Sequence, residues 1–293
     1  MYKLDIIACG DYAANVAENE TPADLRADVN AVCRERPRRI DRYTQLALLG
    51  SARCVGEQPL SPRTGLYMGS RFASLSNAIT MHEQMIGRGD TPKPAHFINS
   101  LSNSASFYVA RNLELSGRNQ FVSRGDASTV ATLQVASLDL LSGTVDEALV
   151  GIVEEAVTPL AHHRQRLAVS TDSNTQGEGS HWLRLARSGS GATALGQVDQ
   201  LRCLADSDAL QQWLQAMQSE QEGTLLFAAP TCRAAVADLW QGGWFDPSLA
   251  YYPAISAGAL LAFVQSPPYG VRALLCVTGD EDGRWHVVRV SCG

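Results

Sequence analysis

The stretch FVSRGDAST, residues 121–129, has the layout of a nucleophile elbow, in which a short strand ends in a tight turn and an apolar helix begins at once. Proteins that use this layout for covalent chemistry place a Cys or Ser at the turn, where backbone amides and the helix N-terminus stabilise negative charge. The tip of this turn is Asp126, which is already an anion and a weak nucleophile. The sequence therefore has the frame of an active site without the expected nucleophile.

Asp126 has three interpretations that the sequence leaves open. An acid at a helix N-terminus is a good cap and complements the helix macrodipole, so Asp126 would cap the helix that follows. In the second interpretation it is a gate or plug of a dead pocket and pairs with Arg124 or a partner residue, because an unpaired buried carboxylate is costly. The third interpretation makes it a catalytic acid or base.

Outward from this turn, strand and helix patterns alternate along the chain. Residues 4–8 predict a short first strand, and residues 99–115 predict a helix. Residues 127–142 are apolar around most of a helical circumference, which predicts a helix buried on nearly all sides. Residues 171–180 are polar and glycine-rich, which indicates a loop, and residues 279–283 form the acidic turn of a hairpin. The alternation predicts an α/β protein.

The composition limits the classes of function. The chain has 293 residues, of which 45% are hydrophobic and 18% are charged, so a globular protein with a sizeable core is expected. A net charge of −6 argues against nucleic acid as the main partner. No apolar run approaches the roughly 18 residues of a membrane span. The N-terminus lacks the pattern of a signal peptide.

The seven cysteines are scattered and include no C-x-x-C pair. This spacing predicts neither a zinc site nor a disulfide framework. We therefore expect no metal and no cofactor, and a reducing cytoplasm is the simplest location.

Residues 97–155 resemble the β-ketoacyl synthases of the thiolase superfamily. In that family a segment of Asn and small residues leads through a helix, an L-x-G element and a strand to Ala-Cys-x-Ser. A buried helix and the string G-x-x-D-x-A-x-x-G-G-x-E follow. The matching positions in this chain, with essentially no gaps, are Asn103, Gly117, Ser128, Gly143, Asp146, Ala148, Gly151 and Glu154 or Glu155. Residues 177–180 (GEGS) are similar to a Gly-Glu-Gly-Ala segment of the family, and residues 37–49 are similar to an early helix.

The resemblance implies an α/β fold of the thiolase-like, layered αβαβα kind. It covers most of residues 37–200 and weakens beyond residue 200, while members of the family are substantially longer. We therefore expect a fold that is truncated in its C-terminal half. Residues 1–160 would form the N-terminal ketosynthase-like half and residues 161–293 a shortened second half of one compact unit.

The mechanism that the resemblance implies uses one cysteine and two histidines, and this chain lacks all three. Asp126 stands at the cysteine, Ala229 at the first histidine and, by a looser match, Tyr252 at the second. An aspartate cannot form a thioester that exchanges readily, and without an imidazole no group is poised near pH 7 for proton transfer. These positions predict a chain that is not an enzyme on its own.

A second set of positions follows from the same resemblance. In ketosynthases the segment that corresponds to residues 97–108 lies at the dimer interface and lines the acyl tunnel. The candidate tunnel and interface residues are Phe97, Ile98, Leu101, Ser104, Phe107 and Tyr108. Ordinary core packing is the alternative interpretation of their apolar side chains.

Together these features predict a chain-length factor, a subunit that resembles a ketosynthase, lacks its cysteine and helps to form the tunnel in a heterodimer. The expected partners are a catalytic ketosynthase, of the kind that makes aryl-polyene or other polyene chains, and an acyl carrier protein that acts through the complex. One alternative is a remodelled thiolase-fold enzyme that acts on acyl thioesters with Asp126 as its base. Another alternative is a homodimeric protein that binds acyl chains.

Overall fold

A computed structural model describes residues 3–18, 20–34, 36–167, 175–217 and 222–292. In this part of the chain ten strands form one sheet. Their bounds are β1 Leu4–Ala17, β2 Thr64–Gly69, β3 Asn119–Val122, β4 Glu147–Glu154, β5 Thr175–Arg187, β6 Gly196–Leu204, β7 Thr224–Ala228, β8 Gly243–Trp244, β9 Ala273–Gly279 and β10 Trp285–Ser291.

Helices connect many of these strands. Their bounds are α1 Arg26–Val32, α2 Arg42–Val55, α3 Leu75–His82, α4 Pro94–Asn99, α5 Ser104–Asn112, α6 Ser128–Leu141, α7 Leu160–Leu167, α8 Ser207–Ala216, α9 Arg233–Ala237 and α10 Ile255–Gln265. A π-helical turn, Glu83–Gly87, continues α3. Within the described ranges, none of the helices has the length and apolar character needed to cross a membrane.

The sheet contains the same strand pattern twice. Its order is β3-β2-β4-β5-β1-β6-β10-β9-β7-β8. In the first half β2 pairs in parallel with β3 and β4, while β5 pairs antiparallel with β4 and β1. In the second half β7, β8, β9, β10 and β6 repeat these pairings. The α/β, thiolase-like fold predicted from the sequence is confirmed by this repeat of two halves.

The repeat of strand pairings divides the sheet after strand β5. Strand β5 pairs with β1 and β4 of the first half, so the change of half falls at residues 188–195, between β5 and β6. The second half, strands β6 to β10, occupies a much shorter stretch of sequence than the first. This difference agrees with a fold shortened in its C-terminal half.

Two helices lie between the halves and form the middle layer of the fold. Helix α6 contacts β2 and β4 of the first half and β6 and β10 of the second, and α10 contacts β1 and β5 as well as β9 and β10. Most side chains of α10 are buried. Helix α6 was predicted to be buried on nearly all sides, but Leu138 on this helix is 67% exposed. The middle layer therefore buries only part of the circumference of α6.

Strand β1 is much longer than the predicted strand at residues 4–8. It continues to Ala17 because it pairs along almost its whole length with β5. Gly10 lies within this strand, where a Cβ would lie 2.3 Å from the backbone nitrogen of Cys54 in α2. Gly10 therefore allows α2 to pack closely on the strand.

The predicted loop at residues 171–180 is also wrong for its second part. Strand β5 begins at Thr175, and residues 168–174 lie outside the described part of the chain. Gly177 and Gly179 leave room for the aromatic ring of Tyr252, because a Cβ at either position would lie within 3 Å of it. These glycines serve close packing within a strand, which the composition of the segment alone does not distinguish from a loop.

Candidate functional site

The turn at Asp126 joins the end of β3 to the start of α6. Gly125 has a positive φ of 53°, which a glycine adopts without strain. The hydroxyl of Ser128 accepts a hydrogen bond from the backbone nitrogen of Arg124 at 3.0 Å and donates one to the carbonyl of Gly125 at 2.7 Å. The strand, turn and helix predicted from the sequence are therefore present, and Ser128 fixes the turn.

Asp126 does not cap helix α6, so the capping interpretation is wrong. The N-cap residue is Ala127, which makes no side-chain capping bond. The Asp126 carboxylate instead forms an ion pair with Arg71 Nη1 at 2.8 Å and accepts a hydrogen bond from the hydroxyl of Tyr251 at 3.3 Å. The side chains of Asp126 and Arg71 are 15% and 16% exposed. Asp126 is therefore paired with Arg71 and not with Arg124, whose guanidinium lies near Asp280 and Asp282 instead.

Arg71 is positioned by the buried end of strand β4. Its backbone nitrogen donates a hydrogen bond to the Glu154 carboxylate, and its guanidinium lies 5.1 Å from the centre of the Phe72 ring. The sequence contains a signal that could have found this arginine. Because β2 and β3 are parallel neighbours, the residues that follow their carboxyl ends, Arg71 and Asp126, come together at one edge of the sheet.

Two buried glutamates lie behind this edge of the sheet. Burial raises the pKa of Glu154 to about 7, although the backbone amide of Arg71 opposes the shift. Burial likewise raises the pKa of Glu155 to about 8, against a hydrogen bond from the backbone nitrogen of Ser76 at 2.8 Å. The other oxygen of Glu155, Oε2, is buried and has no hydrogen-bond partner among the described residues. Both carboxyl groups therefore hold their protons more tightly than exposed glutamates do.

Ala229 and Tyr252 lie in segments that reach the elbow, but their own side chains do not line it. Ala229 is buried directly after β7, and Thr231 and Cys232 line the cavity beside Asp126. The hydroxyl of Tyr252 lies 2.5 Å from Nε2 of the buried His181. Its neighbour Tyr251 is the tyrosine that contacts Asp126, and burial followed by the charge of Asp126 raises the pKa of its hydroxyl. Tyr251 is not among the site residues predicted from the sequence.

The cavity at the elbow has a volume of about 710 Å³. Its walls come from Asp126 and its neighbours, from Arg71, from Thr231 and Cys232, and from residues 279–285. Burial raises the pKa of the Cys232 thiol to about 11, and its Sγ lies 3.4 Å from the carbonyl oxygen of Ala229. No histidine is among the described residues that line the cavity. The arrangement holds a paired carboxylate and a protonated thiol, and neither is a poised nucleophile or general base near pH 7.

The predicted tunnel and interface residues lie on the surface, away from this cavity. The single helix predicted at residues 99–115 is replaced by α4 and α5 with a turn between them. Four of the apolar side chains are more than half exposed, so core packing is the wrong interpretation for them. They are Phe97 at 59%, Ile98 at 52%, Leu101 at 52% and Phe107 at 58%, and they are called the apolar patch below.

The two remaining candidates of this segment are half-buried. The hydroxyl of Ser104 donates to the carbonyl of Ile98, which ties α5 to α4, and the ring of Tyr108 packs edge-on against Phe107 with centroids 5.6 Å apart. The exposed Met85 lies on the π-helical turn that continues α3, and α3 packs against α4. Met85 and its neighbour Ile86 thus add two exposed apolar side chains outside the predicted segment.

The fold and the elbow define a thiolase-like protein of the ketosynthase kind. The sequence model described as "Beta-ketoacyl synthase, N-terminal domain" matches residues 12–179, which is more than half of the chain. The chain therefore belongs to the β-ketoacyl synthase family. The match ends within β5, close to the boundary between the halves of the sheet.

Several solved structures share the fold at low sequence identity. The structure titled "The ishigamide ketosynthase/chain length factor" is 18% identical with a TM-score of 0.75, and the alignment covers 99% of each chain. A second match is a chain of the structure titled "AntDE:AntF (apo): type II PKS acyl-carrier protein in complex with its ketosynthase bound to the hexaketide". It is 13% identical with a TM-score of 0.71, and all of each chain is covered. A β-ketoacyl synthase from Burkholderia phymatum STM815 is 14% identical with a TM-score of 0.71, also over all of each chain. No curated protein matches the sequence.

Proposed function

We propose that this chain is a non-catalytic ketosynthase-like subunit, a chain-length factor that pairs with a catalytic ketosynthase and shapes the acyl tunnel. The observation that carries the proposal is the ion pair between Asp126 and Arg71 at the position of the nucleophile. A carboxylate held in this way cannot receive an acyl chain as a thioester. The carboxylate is also occupied by its contacts with the Arg71 guanidinium and the Tyr251 hydroxyl. This argues against the alternative of an acyl-thioester enzyme that uses Asp126.

The apolar patch supports the pairing part of the proposal. Its four side chains, on α4, the turn after it and α5, are each more than half exposed: Phe97, Ile98, Leu101 and Phe107. Large exposed apolar areas on a protein surface mark interaction sites or ligand grooves. In the proposed heterodimer these side chains pack on the ketosynthase, and part of the segment faces the growing acyl chain.

The neighbours support the class of partner. One solved relative is titled as a ketosynthase/chain length factor, and another is an acyl-carrier protein in complex with its ketosynthase. We infer a ketosynthase as the direct partner of this chain and an acyl carrier protein as the partner of the complex. The product is a polyketide, polyene or fatty-acyl chain, with aryl-polyene synthesis as the specific candidate, and the complex acts in the cytoplasm.

Co-expression tests the pairing. The chain is produced alone and together with a candidate catalytic ketosynthase from the same genome, and the complex is isolated through a tag on this chain only. We expect a 1:1 complex that elongates an acyl chain on the carrier protein, while this chain alone elongates none. Elongation by this chain alone would overturn the proposal. A stable homodimer that does not bind the ketosynthase would favour the alternative of a homodimeric protein that binds acyl chains.

The tunnel role needs a separate measurement. In the complex, Leu101→Trp adds bulk and Phe107→Ala removes it, so the product distribution should shift to shorter and longer chains, respectively. Leu138→Ala is the matched control, because Leu138 is an exposed apolar residue on α6, outside the predicted segment. Product lengths that stay the same in both variants, in a complex that still forms, would remove the tunnel role but leave the pairing.

A further inference from the structure

Two carboxyl groups hold the first turns of α2 and α3. Asp41 is the N-cap of α2, and its Oδ1 accepts a hydrogen bond from the backbone nitrogen of Thr44 at 2.9 Å. Glu155 directly follows β4, and its Oε1 accepts a hydrogen bond from the backbone nitrogen of Ser76, in the first turn of α3, at 2.8 Å. One oxygen of each carboxyl group is therefore committed to a helix.

The second oxygen of each carboxyl group is buried without a partner. Neither Asp41 Oδ2 nor Glu155 Oε2 has a hydrogen-bond partner among the described residues, and Glu155 is only 2% exposed. The two groups are close enough for the charge of Asp41 to add to the effect of burial in raising the pKa of Glu155 to about 8. An ionised carboxylate only accepts hydrogen bonds, so these two oxygens satisfy each other only when one of them carries a proton.

The surroundings place the proton on Glu155 and the negative charge on Asp41. Burial also raises the pKa of Asp41, but hydrogen bonds from Thr44 and Ser74 oppose that shift. The N-terminus of α2 favours a negative charge as well. Asp41 lines a cavity of about 670 Å³, and the basic side chains that line the same cavity are Arg39, Lys93 and His96.

The other titratable neighbours of the pair favour the same arrangement. The charge of Glu154, on β4, further raises the pKa of Glu155. The hydroxyl of Tyr43, on α2, stays neutral because burial raises its pKa. The first turn of α3, residues 75–78, has no charged side chain. Glu155 is therefore surrounded by groups that disfavour its ionised form.

The helices that meet at this pair also support the apolar patch. The hydroxyl of Ser74 donates to the carbonyl of Asn99 at the end of α4. Asn77 on α3 donates from Nδ2 to the carbonyl of His96 on α4 at 2.5 Å. Because α4 carries part of the apolar patch, the position of α3 determines the support beneath that surface.

We propose that Asp41 and Glu155 share one proton between Oδ2 and Oε2, and that this proton latches the start of α2 to β4 and α3. When the proton passes to water, two negative charges face each other in a buried position, which like charges tolerate poorly. Water then reaches the pair through the cavity beside Asp41, and α3 and α4 loosen together. The latch is a property of this fold and does not depend on the proposed pairing with a ketosynthase.

The titration of Glu155 tests the shared proton. The full chain is labelled with ¹³C at the glutamate carboxyl carbons, and the Glu155 signal is identified by its loss in Glu155→Gln. In wild type this signal should titrate near pH 8. Asp41→Asn keeps a good cap on α2 but replaces the charge by an amide, so the midpoint should fall by more than about one pH unit. Glu57→Gln, at an exposed position, is the control and should leave the midpoint unchanged.

Hydrogen exchange tests the latch itself. In wild type the exchange of α3, corrected for the intrinsic rate, should rise about 10-fold from pH 7 to pH 9, because the open form releases the proton more readily than the closed form. Glu155→Gln donates an amide N–H to Asp41 at every pH and should abolish the rise.

Three results would each overturn the proposal. The first is a Glu155 midpoint that Asp41→Asn does not move. The second is a midpoint that falls when NaCl replaces tetramethylammonium chloride, since a metal cation and not a proton would then join the carboxylates. The third is an α3 that is as well protected as β10 at each pH, since α3 would then open only with the whole fold.

Discussion

At the scale of single residues, the elbow has the strand, turn and helix of a nucleophile elbow but carries an acid at the position of the nucleophile. The turn is fixed by Gly125 and Ser128, and neither depends on the identity of residue 126. An acid at this tip is stable because Arg71 lies 2.8 Å away and Tyr251 donates a hydrogen bond to it. The same cation would help to hold a thiolate or an oxyanion at the tip. In this chain the cation forms an internal ion pair instead, as the proposed non-catalytic role requires.

The pair between Asp126 and Arg71 should contribute measurably to stability. Because each side chain is about 15% exposed, we expect Asp126→Asn to lower the free energy of unfolding by roughly 1–2 kcal/mol, between the values of surface and buried pairs. A double-mutant cycle with Arg71→Gln should give a coupling energy of about 1 kcal/mol. The more exposed pair of Arg124 and Asp282 serves as the comparison and should couple by less than about 0.5 kcal/mol. Equal coupling in the two cycles would contradict the enclosed character of the elbow pair.

Glu155 should make stability depend on pH in a direction opposite to that of an ordinary salt-bridged acid. Burial raises its pKa from 4.5 to about 8, so between these values the folded chain keeps a proton that the unfolded chain releases. Stability contributed by this group is therefore lost as the pH rises from about 4.5 to 8. Urea unfolding should show Glu155→Gln to be more stable than wild type by about 3 kcal/mol at pH 9, with little difference at pH 5.

An exposed acid provides the control for this pH effect. Glu57→Gln changes the same functional group at an exposed position and should leave the pH dependence of wild type unaltered. Parallel curves for wild type and Glu155→Gln between pH 5 and pH 9 would show that the glutamate is not protonated in the folded chain.

At the scale of elements, the contact between β5 and α10 depends on two glycines. His181 on β5 and Tyr252, just before α10, meet at 2.5 Å, and Nδ1 of the histidine lies 3.7 Å from Asp11 on β1. A Cβ at Gly179 would lie 2.5 Å from the imidazole, and a Cβ at Gly258 would lie 2.9 Å from the Tyr252 hydroxyl. These glycines leave the space in which the buried polar pair forms.

Gly258→Ala should therefore destabilise the protein although alanine is the better helix former. The helix gains up to about 1 kcal/mol from the exchange, whereas overpacking costs roughly 1–3 kcal/mol, so a net loss near 1 kcal/mol is expected. Tyr252→Phe removes the nearest atom, and in that background the cost of Gly258→Ala should fall without vanishing, because two imidazole atoms of His181 still lie 3.2 Å from the new Cβ. Gly87→Ala, where a Cβ meets nothing within 4 Å, is the control and should stay within about 0.5 kcal/mol of wild type. A cost for Gly258→Ala that is no smaller without the hydroxyl would refute the steric role of the Tyr252 hydroxyl.

The sequence predicted those elements whose signal is local. The elbow, the helix after it and the acidic hairpin were found because turn residues and apolar runs mark them directly. The full length of β1 and the start of β5 could not be predicted, because their polar and glycine-rich residues are held by pairing with strands far away in the sequence. Arg71 was missed for a related reason: its meeting with Asp126 depends on the order of strands in the sheet.

At the scale of the whole molecule, the repeated strand pattern and the surface of the first half point to assembly. The two halves share the layer of α6 and α10, so the chain has a continuous interior of its own. The apolar patch lies outside that interior, on α4, the following turn and α5. An apolar surface that the fold does not use internally is the natural place for a second subunit.

A charge placed in the apolar patch should separate folding from assembly. Ile98 is 52% exposed, so Ile98→Glu should leave the circular dichroism spectrum and the melting temperature of the chain close to those of wild type. In co-expression with the catalytic ketosynthase it should weaken the complex at least about 10-fold, since a charge at an apolar interface is desolvated without a partner. Leu138→Glu is the matched control, because Leu138 is 67% exposed on α6, outside the patch, and should co-purify as wild type does. Full recovery of the complex with Ile98→Glu would place the ketosynthase on another surface, and equal losses in both variants would trace the effect to charge and not to the patch.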